Sequence, residues 1–181
     1  MAVSARLDRL PVGHGVIDRA FSLWIFDKDG PLQAVQHALK YRNRPQYGIP
    51  LGRLMGTAYA RAHPQPDGVL PIPLHHTRKL ERGYNQSRTL AEGMADVLNA
   101  PLRPTLLRRP RPTRSQTNLS RADRWKNVRD AFAAPREAAG GHWLLVDDIL
   151  TTGATCVAAA HPLHEAGAEA VSLATLALAR Q

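Results

Sequence analysis

The residues with the greatest capacity for chemistry stand together late in the chain. Asp147 and Asp148 follow the apolar run Leu144, Leu145 and Val146, and Thr151, Thr152, Gly153, Ala154 and Thr155 come two residues later. An apolar run of this kind fills a buried parallel strand. Two ionised carboxylates side by side at its carboxyl end repel each other, so both must be solvated, paired, or bound to a cation or a hydroxyl-rich ligand. The residues after them suit a phosphate. Three threonine hydroxyls are at hand, Gly153 lets the backbone come close, and a helix opening at Ala154 aims its N–H groups at an anion. Ligands of open α/β sheets sit beyond the carboxyl ends of the strands, so the order of strand, acidic pair and loop fits a sugar phosphate, with hydroxyls on the acids and phosphate on the loop. A plain strand-to-helix turn capped by solvated aspartates accounts for one Asp and one Thr, not for the ordered set.

The rest of the chain supplies elements that can hold such a site. With 181 residues, one domain is expected, large enough to bury a core without staples. Residues 1–20 read as an irregular lead-in, interrupted by Gly13, His14 and Gly15, and residues 21–181 as the domain. Residues 21–32 read as a strand, a D-G turn and a helix opening at Pro31, with Leu32, Val35, Ala38 and Leu39 on one face. A second helix is expected over 49–61, with Leu51, Leu54, Met55 and Ala58 as its core stripe. A strand over 68–74 runs into a proline-limited turn, and the helix that starts near Gln86 turns Leu90, Met94, Val97 and Leu98 inward. A further strand is expected at 105–107. Gly140 and Gly141 lead into the central strand, and the helix from Ala154 runs toward Glu165, with a kink or early break near His161 because Pro162 removes a hydrogen bond. Residues 171–178 close the sheet. Strands alternating with helices give an α/β fold with a mainly parallel central sheet flanked by helices.

Cations gather in two further segments. His75, His76, Arg78, Lys79 and Arg82 follow the 68–74 strand, and in an α/β sheet that loop leaves the same carboxyl edge as the acidic pair. Two adjacent histidines with no partner placed by spacing are ordinarily surface residues, not metal ligands. Between residues 108 and 129 eight cations stand against Asp123 alone, a net +7 of the chain's +9. Ser120 followed by Asp123 resembles a capping box with a shorter acid, so a short helix with Arg124, Trp125 and Val128 is compatible with this arm. A long, basic, flexible loop of this kind suits a lid over a di- or triphosphate-like ligand, because closure removes water and strengthens the electrostatics. The competing use is a nucleic-acid arm, in which Trp125 stacks a base while the arginines hold phosphates. A second motif competes for the chemistry: residues 21–32 resemble the D-x-D-G signature of haloacid dehalogenase-type phosphatases, with Asp27 as nucleophile and Asp29 as acid, although Pro31 stands where that family usually has Thr or Val.

The strand, acid pair and T-T-G-A-T loop resemble the 5-phosphoribosyl-1-pyrophosphate (PRPP) signature of the type I phosphoribosyltransferases. P-I-P-L-H-H-T-R-K-L-E-R-G-Y-N-Q-S resembles the pyrophosphate-side loop of their ComF-type branch, the competence proteins. Gln116, Thr117, Leu119, Ser120, Arg124, Asn127, Val128 and Phe132 resemble that branch's Q-T-x-L-S, R-x-x-N-V and Phe pattern. The resemblance covers residues 21–181. It implies PRPP as substrate with Mg²⁺, a positively charged dissociative transition state at the anomeric carbon, and pyrophosphate as leaving group. Asp147 and Asp148 would be the catalytic acids, Thr151, Thr152, Gly153, Ala154 and Thr155 the 5-phosphate site, and Arg78, Lys79 and Arg82 the pyrophosphate site. Arg111, Arg114, Gln116, Arg121, Arg124 and Asn127 would belong to the loop. Mg²⁺ would arrive with PRPP and touch Asp147 or Asp148, with no other metal cluster in the protein. A homodimer, single-stranded DNA and DNA-uptake proteins are the partners the resemblance allows, and a PRPP-binding protein without turnover is its non-catalytic variant. The acceptor has no motif in the sequence.

Several classes are disfavoured. Cys156 is the only cysteine, so neither disulfides nor the four-cysteine zinc module common at the N-terminus of the ComF-type branch is expected, and a small buried role suits it better than nucleophilic attack. No signal-peptide core and no membrane-length apolar run occur, which points to a cytoplasmic protein. The nucleic-acid use of the arm predicts single-strand binding that weakens steeply with salt. Neutralising Arg111, Arg114 and Arg121 should then lower the log–log salt slope by about 2, at about 0.7 per phosphate contact. Fluorescence anisotropy at several salt concentrations measures it, and a flat response removes that use.

Overall fold

In the computed structural model, which describes residues 15–26, 45–74, 83–110 and 130–180, four strands pair in parallel into one sheet. They are β1 (Arg19–Phe26), β2 (Gly68–Pro71), β3 (His142–Leu150) and β4 (Ala170–Ala179), in the spatial order β1-β4-β3-β2. Helices α1 (Gly48–Ala60) and α2 (Gln86–Leu98) cover one face, where Met55, Tyr59, Leu90 and Met94 meet Leu144, Val146, Ala174 and Leu176. Helix α3 (Ala154–Glu165) covers the other, where Val157 and Leu163 meet Leu145, Val171 and Leu173. Cover on both faces explains why eight successive residues of β4 are buried and why its alternation reads so weakly in sequence. The parallel sheet flanked by helices is the α/β architecture expected from the sequence.

The contact between α1 and α2 is made by glycine. A Cβ at Gly52 would lie 2.1 Å from the carbonyl oxygen of Leu90, and one at Gly93 would lie 2.1 Å from that of Ile49, so the two helices meet backbone to backbone. This overturns part of the expected apolar stripes. Leu54 and Val97 lie outside, at 47% and 40% exposure, while Gly48, Gly52, Met55, Gly56 and Tyr59 form the buried side of α1. Large side chains have no room between touching backbones, so these helices present their glycines inward and turn Leu54 and Val97 to the rim.

Other boundaries shift for local reasons. β1 begins at Arg19, inside the stretch expected to be irregular, because Asp18 exchanges two bonds with Val171: its N–H donates to the Val171 carbonyl at 2.9 Å and its Oδ2 accepts the Val171 N–H at 2.8 Å. β2 stops at Pro71, short of residue 74, where Pro71 and Pro73 bring no N–H to a ladder. No strand forms at 105–107; residues 104–106 turn, and the pairing consists of isolated bridges from Leu102 to Val69 and from Arg108 to Ala133. Helix α3 runs through Pro162 without the expected break. The proline is buried in the last turn and its carbonyl still accepts the Ala166 N–H at 3.0 Å, so one missing bond is offset by packing. The helix expected from Pro31, with Leu32, Val35, Ala38 and Leu39, lies outside the described residues, as do Asp27 and Asp29.

Gly93→Ala tests the helix contact through its sign. By helix propensity alone the change would stabilise by about 1 kcal/mol, whereas the steric contact makes it destabilising by about 1–3 kcal/mol. Urea unfolding should show a lowered midpoint with an unchanged slope.

Candidate functional site

The acids stand within β3, not after it. Four buried residues, Trp143 to Val146, anchor the strand; Asp147, Asp148 and Ile149 are half-buried and the ladder to β4 continues to Leu150. The expectation that the strand ends at Val146 is thus corrected: pairing with β4 carries it four residues further. Within this stretch the carboxylates find backbone donors. Asp147 Oδ1 accepts the N–H of Asp148 at 2.9 Å, and Asp148 Oδ1 accepts that of Ile149 at 2.8 Å. Asp147 Oδ1 also accepts the Ser87 hydroxyl at 2.9 Å, a contact from the first turn of α2.

The loop expected to hold phosphate leads directly into α3. Gly153 is its N-cap at φ +87°, a left-handed conformation that a side chain would strain, and its carbonyl accepts the Val157 N–H at 3.0 Å. Thr151 is exposed and Thr152 and Thr155 are half-buried, while Gly153 and Ala154 are buried beneath them. Thr152 Oγ1 lies 3.4 Å from the Ala154 nitrogen, a long bond. The first-turn N–H groups of a helix lack intrahelical acceptors, so this turn presents donors and a positive dipole end beside the acidic pair. Structure and sequence agree in bringing Asp147, Asp148, Thr151, Thr152, Gly153, Ala154 and Thr155 to one sheet edge.

The two basic segments are rooted at the same edge. Ile72 donates to the Val146 carbonyl at 2.9 Å, continuing β2 alongside β3, and Asn85 Nδ2 donates to the Ile72 carbonyl at 3.0 Å. Ile72 and Asn85, which flank residues 75–82 in sequence, are therefore joined to each other and to Val146 beside the acids. Arg108 and Ala133 exchange two backbone bonds of 2.9 Å, which clasp the two ends of the 111–129 segment. The Arg109 guanidinium lies 5.0 Å over the Phe132 ring and reaches the Pro73 carbonyl at 3.5 Å. Arg78, Lys79 and Arg82, like Arg111, Arg114, Gln116, Arg121, Arg124 and Asn127, lie outside the described residues. Sequence reading placed Asn85 and Ser87 in the pyrophosphate-side motif and Arg109 among the cations of the arm, but gave none of the three a contact at this edge. The bond from Ser87 crosses 60 residues, and no local pattern marks it.

Among the described residues no three His, Cys, Asp or Glu side chains group to hold a metal ion. Cys156 is buried behind the acids, and its thiol is pushed well above its ordinary value of 9.0, first by burial and then by the charges of Asp147 and Asp148. A thiol so placed stays protonated and is a poor nucleophile. Because its folded pKa is raised, its contribution to stability is whole below the unfolded value and is lost as pH rises above it. In a thiol-exchange assay at pH 8 the native protein should react more than tenfold slower than the guanidinium-unfolded chain.

Comparison with known proteins places this edge in a family. The phosphoribosyl transferase domain family matches residues 85–181, which include Ser87, the acids and the threonine loop. The chain is 32% identical over 154 residues to the DNA utilization protein YhgH of Salmonella typhi, covering 82% of this chain and 68% of that protein. It is 31% identical over 157 residues to competence protein F of Haemophilus influenzae, covering 82% and 69%. The fold resembles that of the glutamine PRPP amidotransferase from B. subtilis, solved with ADP and GMP, at a TM-score of 0.53 and 22% identity. That match covers 77% of this chain but only 30% of the larger enzyme chain. With the fold, the strand-end acids and these relatives in agreement, the chain belongs to the phosphoribosyltransferase domain family, in its ComF-type branch.

Proposed function

We propose that this protein binds PRPP with Mg²⁺ at the carboxyl edge of β3 and acts as a phosphoribosyltransferase that releases pyrophosphate. The observation that carries the reading is the arrangement at one strand end: two half-buried carboxylates, a left-handed glycine and the first turn of α3 with Thr151, Thr152 and Thr155. Asp147 and Asp148 hold the ribose hydroxyls, and the 151–155 turn holds the 5-phosphate. As the bond from the anomeric carbon to pyrophosphate breaks, positive charge grows on the ribose. Carboxylates oriented beforehand stabilise that charge more in the transition state than in the ground state.

Two half-buried carboxylates suit Mg²⁺ of the kind that keeps several waters and binds through one or two carboxylates plus substrate phosphates. Asp147 and Asp148 would hold it, and it would neutralise charge on the leaving pyrophosphate. Arg78, Lys79 and Arg82 complete the proposal on the pyrophosphate side, and the 111–129 arm is the segment whose cations cover the substrate. A role in DNA utilisation or competence is proposed for this chain by its likeness to proteins bearing those names.

PRPP with Mg²⁺ at about 100 times its dissociation constant should stabilise the fold by about 2.7 kcal/mol. For a domain of this size that is a rise of about 5–10 °C in Tm. Asp147→Ala combined with Asp148→Ala should abolish the rise. Differential scanning fluorimetry reads it, and an equal rise in wild type and double variant sinks the assignment.

A further inference from the structure

We infer that Ser87 is a positioning residue for Asp147 and that through it the start of α2 sets the aim of the ribose-binding acids. The inference rests on the proposed PRPP reading. Ser87 is 3% exposed, and its hydroxyl donates to Asp147 Oδ1 at 2.9 Å. A serine in the first turn of a helix ordinarily spends its hydroxyl on nearby backbone. Here the local need is met otherwise: Asn85 Oδ1 accepts the Ser87 N–H at 3.2 Å, which leaves the hydroxyl to reach β3.

The contact is one link of a continuous chain. Val146 accepts from Ile72, Ile72 from Asn85, Asn85 from Ser87, and Asp147 from both Ser87 and the following backbone N–H. Two donors meeting on one oxygen fix the plane of the Asp147 carboxylate. The positive end of α2 beside it favours its negative charge. Residues 75–82 run between Leu74 and Gly83, so the same two elements that bracket that segment also orient the acid. A displacement of the start of α2 becomes a displacement of Asp147. Ser87 touches no substrate in this scheme; it acts through the acid.

The test separates the ribose side from the pyrophosphate side. Calorimetric titrations with Mg²⁺ compare ribose 5-phosphate and inorganic pyrophosphate on wild type, Ser87→Ala and Ser87→Cys, at a temperature where each is folded by circular dichroism. Ser87→Ala should weaken ribose 5-phosphate about tenfold and leave pyrophosphate within about twofold. Ser87→Cys, with nearly the same volume and a weaker donor, should fall between and carries the test if the alanine variant does not fold. Wild-type affinity for ribose 5-phosphate in both variants, or equal losses for both ligands, overturns the positioning role while PRPP binding stands. A wild-type protein that binds neither ligand nor PRPP overturns the functional reading itself, and this inference with it.

Discussion

Two neighbouring carboxylates within a strand, just beyond its buried stretch, are the constraint around which this molecule is arranged. Left in an apolar environment they would be costly, and three donors meet them: the N–H groups of Asp148 and Ile149 and the hydroxyl of Ser87. The strand that carries them is buried over its preceding four residues and held on both sides by parallel neighbours. The acids are therefore presented from a rigid element. Their charge also reaches into the first turn of α3, where it helps to keep the thiol of Cys156 protonated.

The position of Ser87 depends in turn on the glycine contact between α1 and α2. Gly52 and Gly93 let the two backbones touch, and Gly48 lies close under Thr89, two residues beyond Ser87. Helix α2 is thus located by α1 on one side and by Leu144 and Val146 of β3 on the other. Packing on the far side of the sheet and hydrogen bonding at its edge are consequences of the same helix placement. A change of a single Cβ in that contact would be felt at the acids, because close-packed interiors transmit strain instead of absorbing it.

The distribution of charge matches a site of mixed sign. Acids occupy the strand end, while the segment 108–129 carries a net +7 of the chain's +9, and its two ends are clasped by the Arg108–Ala133 bridge. Arg109 adds a cation over Phe132 and a contact to Pro73 at the edge of β2. A ligand whose ribose hydroxyls lie between a single phosphate and a diphosphate calls for both signs of charge, which is the electrostatic content of the proposed PRPP reading. The competing D-x-D-G signature at Asp27 and Asp29 has no such support, and the family match lies with the β3 acids.

The sequence by itself determined the parallel α/β class, the elements from the helix near 49 through the central strand to the closing strand, and the residues 147–155 of the candidate site, because each is written in a local pattern. Apolar runs and glycine and proline breaks act over a few residues, and Asp147, Asp148 and the T-T-G-A-T turn are contiguous. Tertiary structure alone decided which face of α1 is buried, since Leu54 and Leu51 look equivalent until a partner helix approaches through glycine. It alone decided that Pro162 could be carried in a packed last turn, that residues 105–107 would bridge instead of forming a strand, and that β3 would continue through the acids. It alone joined Ser87 to Asp147. Contacts between residues far apart in the chain depend on how whole elements dock, and docking is settled by shape and packing summed over both faces of the sheet, which no short stretch of sequence contains.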